Sequence, residues 1–240
     1  MLSDKTTSLF DRIAPSYDRL NHLLSLNIDK RWRRRAVKQL QPADSVLDVA
    51  IGTGDLTIEI LRQRKARRIT GIDLSEQMMA IGKQKIARQQ SPNTDVEFLH
   101  ASAQEMPFDD AQFDAVTCAY GVRNFSDIAK ALGEMHRVLK PGGELMILEF
   151  GTPDSGLFAT LFDFYFTHVL PTIGGWFSHD KAAYTYLNRS VKSFPYGQAF
   201  CESLRQAGFT DVTFRNLTFG TSVIYHAKKC LEIPLTINND

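Results

Sequence analysis

The pairing with the clearest chemical content in this chain is Gly52-Thr53-Gly54 followed, about 20 residues later, by Asp73. The run Val46–Ile51 reads as a buried strand that enters a tight glycine turn and passes at once into a helix, Leu56–Arg64. Asp48 is embedded in that apolar run, where a carboxylate needs a partner. Gly52 and Gly54 allow positive φ and let a ligand approach the backbone, and the N–H groups opening the helix face whatever is bound. Asp73 closes a second short apolar run, Arg68–Asp73, at a strand tip where a carboxylate accepts both hydroxyl hydrogens of a ribose. Together these residues point to a nucleoside cofactor. A dinucleotide turn requires a third glycine, and that position holds Thr57, so a pyrophosphate is not supported. A methyl donor without phosphates needs only the short turn.

These residues must be held by an alternating framework. From Gln41 to Phe150, strand and helix patterns alternate, which predicts a parallel sheet with helices on both faces. The strands are Val46–Ala50, Arg68–Asp73, Val96–His100, Ala115–Ala119 and Glu144–Phe150. Ser75 and Asp127 are the expected helix caps, and Lys140-Pro141-Gly142-Gly143 reads as a helix stop. Residues 151–196 break this rhythm with an aromatic-rich insertion that includes Phe158, Phe162, Phe164, Tyr165, Phe166, Trp176 and Phe177. Two readings stand side by side: a helical cap on the sheet edge, or an apolar pocket over the cofactor crevice. A helix at Gln198–Ala207 follows, then β-rich runs at Val212–Phe219 and Ser222–Lys228 joined at Gly220-Thr221. A hairpin ending a parallel sheet is unusual for dinucleotide dehydrogenases. The tail, 230–240, reads as unstructured.

Composition narrows the classes. Length and 43% apolar content suit one domain, divided as a helical lid (1–40), a cofactor-binding core (41–150), a substrate-covering insertion (151–196) and a C-terminal helix and hairpin (197–229). A net charge of +1 sets up no field for nucleic acid. Cys118, Cys201 and Cys230 are too scattered for a disulfide framework or a metal site, so no metal is expected. No run has signal-peptide or membrane-spanning character, which points to the cytoplasm. The basic run Lys30–Arg35 reads either as a solvated helix face with Trp32 turned inward or as a contact for phosphate or anionic lipid. Tyr17 is a candidate lid residue or a packing residue.

The chain resembles class I S-adenosylmethionine-dependent methyltransferases. Asp48-x-Ala50-x-Gly52-x-Gly54 is similar to their first motif with alanine at the first glycine, Asp73 matches the ribose acid, and His100–Phe108 matches the adenine-edge loop. The resemblance implies a Rossmann-like, mostly parallel α/β sheet whose last strand is antiparallel. More narrowly, Tyr17–Asn21, Gly52–Asp55, Gly121–Phe125, Leu148–Phe150, His168–Gly174 and Tyr184–Leu187 resemble the menaquinone and ubiquinone biosynthesis C-methyltransferase family. By this resemblance, S-adenosyl-L-methionine is held at Thr53, Asp73, Ser102, Ala103 and Ala119, with alanine at the last position removing a hydroxyl contact. The substrate it implies is a prenylated quinol, with demethylmenaquinol favoured over the ubiquinone precursor. The implied setting is transient membrane-surface contact at the inner face of the membrane, with a homodimer left open.

Carbon methylation of a ring needs an electron-rich carbon. A quinol hydroxyl titrates near tyrosine, at about 10, and lowering that by two or three units takes roughly 3–4 kcal/mol. Arg123, just past the fourth strand, is expected to partner the ring anion, with Asn124 orienting a water that removes the proton. His168 is the alternative base. A nucleic-acid methyltransferase is the competing class, but the Asn/Asp-Pro-Pro-Tyr turn of amino-group DNA enzymes is replaced here by Ala119-Tyr120-Gly121. A non-enzymatic cofactor-binding scaffold and a dehydrogenase are the remaining alternatives.

Overall fold

The computed structural model describes residues 2–25, 27–89, 94–153, 156–164, 167 and 181–231. The element order is α1 (Leu2–Leu24), α2 (Ile28–Gln39), β1 (Ala43–Val49), α3 (Asp55–Arg62), β2 (Ala66–Asp73), α4 (Glu76–Ala87), β3 (Asp95–His100), β4 (Phe113–Ala119), α5 (Ile128–Val138) and β5 (Leu139–Phe150). It continues with α6 (Gly156–Phe164), α7 (Lys181–Ser193), α8 (Gln198–Gln206), β6 (Phe209–Leu217) and β7 (Ser222–Lys229). His168 and most of the expected aromatic insertion, from Tyr165 through Phe177 apart from Thr167, lie outside the described residues, as does the tail beyond Leu231.

The seven strands run in the order β3-β2-β1-β4-β5-β7-β6. β1 to β5 pair in parallel, and β7 lies antiparallel between β5 and β6. Successive side chains on the central strands alternate between two apolar layers. Leu47, Val116, Ile147 and Tyr225 join α5 and α8 on one face, while Val46, Ala115, Met146 and Ile224 join α2 and α3 on the other. Both faces are covered, so these strands read as nearly continuous apolar runs.

Two expectations change in detail. The Lys140–Gly143 segment does not separate α5 from the fifth strand. It lies inside β5 as an irregularity, where pairing passes from Phe113↔Leu139 to Ala115↔Glu144, and Gly142 there has φ +77°. The terminal hairpin begins at Phe209 rather than Val212, and its tip is a turn at Thr218–Gly220. Ser75 and Asp127 do cap α4 and α5, accepting from Met78 N at 3.2 Å and Lys130 N at 2.9 Å.

The sheet order reverses between β1 and β4, where a crevice opens at the carboxyl ends of the strands. Both strands leave the sheet through left-handed residues, Ala50 (φ 56°) and Tyr120 (φ 59°). The two exits fit together through Gly121, because a Cβ there would come within 2.6 Å of the Ala50 Cβ.

Candidate active site

A cleft at this reversal is lined by Gly52 and Ala50 after β1, Asp73 to Ser75 after β2, Ala101 to Gln104 after β3, and Ala119 to Gly121 with Asn124 to Ser126 after β4. Thr6, Thr7, Phe10 and Tyr17 of α1 form the remaining wall. Gly52, Asp73, Ser102, Ala103, Ala119 and Asn124, each expected at a site from sequence, therefore meet in one place. The other four expected residues lie elsewhere.

Asp48 is sealed beneath the turn. Its carboxylate accepts from Thr57 Oγ1 at 2.6 Å and Thr117 Oγ1 at 2.9 Å, which ties β1 to α3 and β4. Burial raises its pKa to about 6 against those two hydrogen bonds. It borders only a smaller chamber, which shares Tyr17, Ala50, Gly52, Ala119 and Tyr120 with the cleft. Thr53 borders that chamber too, and its hydroxyl donates to Asp18 of α1 at 2.5 Å. Gly54 is favoured by its left-handed backbone (φ +78°), and a Cβ there would also press on Ile86 Cδ1 of α4 at 2.9 Å.

Arg123 does not line the cleft among the described residues. Its side chain is 4% exposed, and Nη1 donates to Glu149 Oε1 and to the Tyr120 carbonyl, each at 2.6 Å. Glu149 also accepts from the backbone N–H groups of Arg123 and Phe150. The Arg123 guanidinium lies 5.0 Å over the Phe150 ring, and its Nε is buried with no hydrogen-bond partner. Asn124 is more committed than a water-orienting role supposes. Its Nδ2 donates to the Tyr120 carbonyl at 3.2 Å and its Oδ1 accepts from Tyr186 at 3.1 Å. One amide hydrogen is left over.

The cleft's chemistry suits a nucleoside without phosphates. Asp73 is its one charged side chain among the described residues, with no Lys or Arg beside it. Asp73 accepts the N–H of Gly52 and of Ser75, each at 2.8 Å, and spare lone pairs remain for hydroxyl donors. Burial raises its pKa, against hydrogen bonds from Ser75, Gly52 and Leu74. Ile72, Met78, Ala101 and Phe125 supply apolar walls suited to a flat base. The loop after β3 is fastened from outside, as Gln104 Oε1 accepts from Ser126 and from the N–H of Asp127.

Sequence reasoning missed the apparatus that holds α1 down. Asp11 accepts from Ser75 Oγ at 2.5 Å, and Asp18 binds both Thr53 and Lys85 Nζ. Lys85 also reaches Asp55 at 2.5 Å. Arg33, inside the basic run, is buried and pairs with Asp29 at 2.5 Å and Asp55 at 3.3 Å. His22, Asp29 and Asp55 converge closely enough to suggest a metal site, but the Arg33 guanidinium already occupies the cation's place between the two carboxylates. The available signal was the i, i+4 spacing of Asp29 and Arg33.

The sheet order with its antiparallel β7, together with a cleft that carries no Lys or Arg among the described residues, fits a class I S-adenosylmethionine-dependent methyltransferase. A methyltransferase structure from Thermotoga maritima shares the fold, with a TM-score of 0.67 at 18% identity over 93% of this chain and 99% of that one. The profile of the ubiE/COQ5 methyltransferase family matches residues 1–229, and the chain belongs to that family. It is 42% identical to a Bacteroides fragilis protein named demethylmenaquinone methyltransferase, covering 95% of this chain and 93% of that one. It is 46% identical to a Geobacter sulfurreducens protein named ubiquinone/menaquinone biosynthesis C-methyltransferase UbiE, over 95% and 90% respectively.

Proposed function

We propose that this protein transfers a methyl group from S-adenosyl-L-methionine to a ring carbon of a prenylated quinol, converting demethylmenaquinol to menaquinol. The observation carrying the reading is a cleft lined by Asp73 and Asn124, with no Lys or Arg among the described residues, in a chain 42–46% identical to proteins with those names. Asp73 would hold the ribose hydroxyls, Gly52 gives the backbone clearance, and Ser102 and Ala103 border the base. Ala119 borders the cleft from β4, while Asp48, Thr53 and Gly54 act from beneath by holding the turn in shape. Bound S-adenosylmethionine supplies the electrophilic methyl group.

The protein's part is to make the ring carbon electron-rich. Loss of the hydroxyl proton puts negative charge on the neighbouring ring carbons, and Asn124, which lines the cleft and keeps one amide hydrogen spare, is the donor suited to the resulting oxyanion. Arg123 stands behind it, its charge offset by Glu149, and donates to the same Tyr120 carbonyl as Asn124, so the pair fixes the loop that carries Asn124. Arginine stays protonated and is no literal base, so the proton leaves to water. Asn124 and Tyr186 are the polar groups positioned to order that water. After the carbon–carbon bond forms, loss of the ring proton restores the aromatic quinol. A membrane-dissolved substrate brings with it transient contact with the bilayer surface.

The deciding experiment incubates purified protein with S-adenosylmethionine and either demethylmenaquinol or the demethylated ubiquinone precursor, followed by mass spectrometry. Gain of one methyl group on demethylmenaquinol is expected. Transfer to neither quinol would remove this reading.

A further inference from the structure

Asn124 lines the cleft with one amide hydrogen to spare, and a residue that holds its amide comes from far along the chain. Tyr186 is half-buried on α7, and its hydroxyl donates to Asn124 Oδ1 at 3.1 Å across 62 positions of sequence. Tyr186 itself does not line the cleft among the described residues. Its anchorage lies further along the same helix. Val191 and Phe194 are buried, the Phe194 ring centroid lies 4.8 Å from that of Phe200 on α8, and the Ser190 hydroxyl donates to the Leu187 carbonyl at 3.0 Å. Tyr186, Ser190 and Phe194 recur at four-residue spacing, so they share one face of α7.

Asn124 ends the short turn Val122–Asn124 that follows β4. A side-chain amide has a soft terminal torsion, so by itself it would sample many directions and both faces. Two contacts remove that freedom. The Tyr120 carbonyl accepts from Nδ2 at 3.2 Å, and an amide turned over would set Oδ1 against it, acceptor against acceptor. The Tyr186 hydroxyl holds the other end. Because the amide is planar, fixing both ends fixes the direction of the second Nδ2 hydrogen. A hydroxyl donated to Oδ1 also draws electron density from the amide nitrogen and strengthens that hydrogen as a donor.

We propose that Tyr186 is a positioning residue for the methyl transfer, its hydroxyl holding and polarising the Asn124 amide so that the free hydrogen meets the oxygen of the substrate ring. The role deepens the quinol reading and rests on it, since the amide needs an oxyanion to meet. Relative to the bound neutral quinol, that oxygen carries negative charge only on the way to the transition state. The contact therefore contributes to kcat rather than to substrate or cofactor binding. A tyrosine that merely packed α7 against the turn would show itself in stability and affinity instead.

The test measures methylation of demethylmenaquinol by wild type, Tyr186→Phe, Asn124→Ala and the double variant, with S-adenosylhomocysteine affinity and the thermal midpoint recorded for each. Tyr186→Phe keeps the ring and loses only the hydroxyl, so its folding is not endangered. It is expected to lower kcat about five- to tenfold, the worth of one hydrogen bond. The KM for the quinol and the affinity for S-adenosylhomocysteine should stay within about twofold of wild type. Because the hydroxyl acts through Asn124, adding Tyr186→Phe to Asn124→Ala should cost less than about twofold more. A kcat for Tyr186→Phe within twofold of wild type would overturn the role, as would an equal loss on the Asn124→Ala background. A loss of rate matched by a loss of cofactor affinity would assign Tyr186 to packing and overturn it as well. Wild type that methylates neither demethylmenaquinol nor the ubiquinone precursor would remove the substrate reading and this role together, whereas wild-type turnover indifferent to the hydroxyl would remove the role alone.

Discussion

Asp73 and Asp48 are both carboxylates at the end of parallel strands, yet their surroundings assign them opposite work. Asp73 opens onto the cleft, whereas Asp48 is closed off by Thr57 and Thr117. Asp73→Ala should weaken binding of S-adenosylhomocysteine by at least tenfold in calorimetry, since it removes the acceptor proposed for two ribose hydroxyls. Asp48→Asn should instead show itself in stability. The Asp48 pKa is raised to about 6 in the folded state, so the native protein binds the proton more tightly than the unfolded chain. Wild-type stability therefore falls as pH rises between the ordinary aspartate value and about 6, by roughly 3 kcal/mol from this group. Urea denaturation at pH 4 and pH 7.5 should find Asp48→Asn gaining on wild type at the higher pH alone. Glu149→Gln leaves the Arg123 charge buried without its counter-ion and should cost roughly 3–5 kcal/mol, seen as a lower urea midpoint.

Among the elements, α1 is the one whose position matters most to the cleft. It contributes a wall through Phe10 and Tyr17, and two carboxylates seven residues apart fasten it, Asp11 to the cap of α4 and Asp18 to the glycine turn and Lys85. Burial raises the Tyr17 phenol pKa against the pull of Arg123, which places α1 against the Arg123 neighbourhood as well. Asp18→Ala frees one end of this strap. Stopped-flow dissociation of S-adenosylhomocysteine should be about five- to tenfold faster, corresponding to roughly 1–1.4 kcal/mol from the lost charged contacts. An unchanged dissociation rate would show that α1 does not retain the ligand.

Across the molecule, ion pairs join elements that are remote in sequence. Arg33 links α2 to α3 through Asp55, and Lys140 bonds Asp114 across β5 and β4. Burial raises the pKa of Asp29, Asp55 and Asp114, but neighbouring cations and hydrogen bonds outweigh it and hold all three below the ordinary aspartate value. Their stabilisation is complete above that value and is lost as pH falls through their lower folded-state values. Acid unfolding followed by circular dichroism should set in below about pH 4. Arg33→Met should flatten that acid limb, because the pull on Asp29 and Asp55 goes with the guanidinium.

The alternation of strands and helices, the Ser75 and Asp127 caps, the glycine turn and the acid at the tip of β2 were all legible in the chain itself. Each depends on residues within a turn or a strand of one another, where periodicity and backbone sterics decide the outcome. Trp32 turned inward for the same reason, as the apolar side of a helix. What the tertiary structure alone decided is which polar groups found each other once buried. Thr53 turns to Asp18, Arg33 sinks between Asp29 and Asp55, Arg123 is claimed by Glu149, and Trp32 bonds the Thr218 hydroxyl at the far end of the chain. Those partners come from segments far apart in the chain, and a buried charge or hydroxyl takes whichever partner the packing brings within reach.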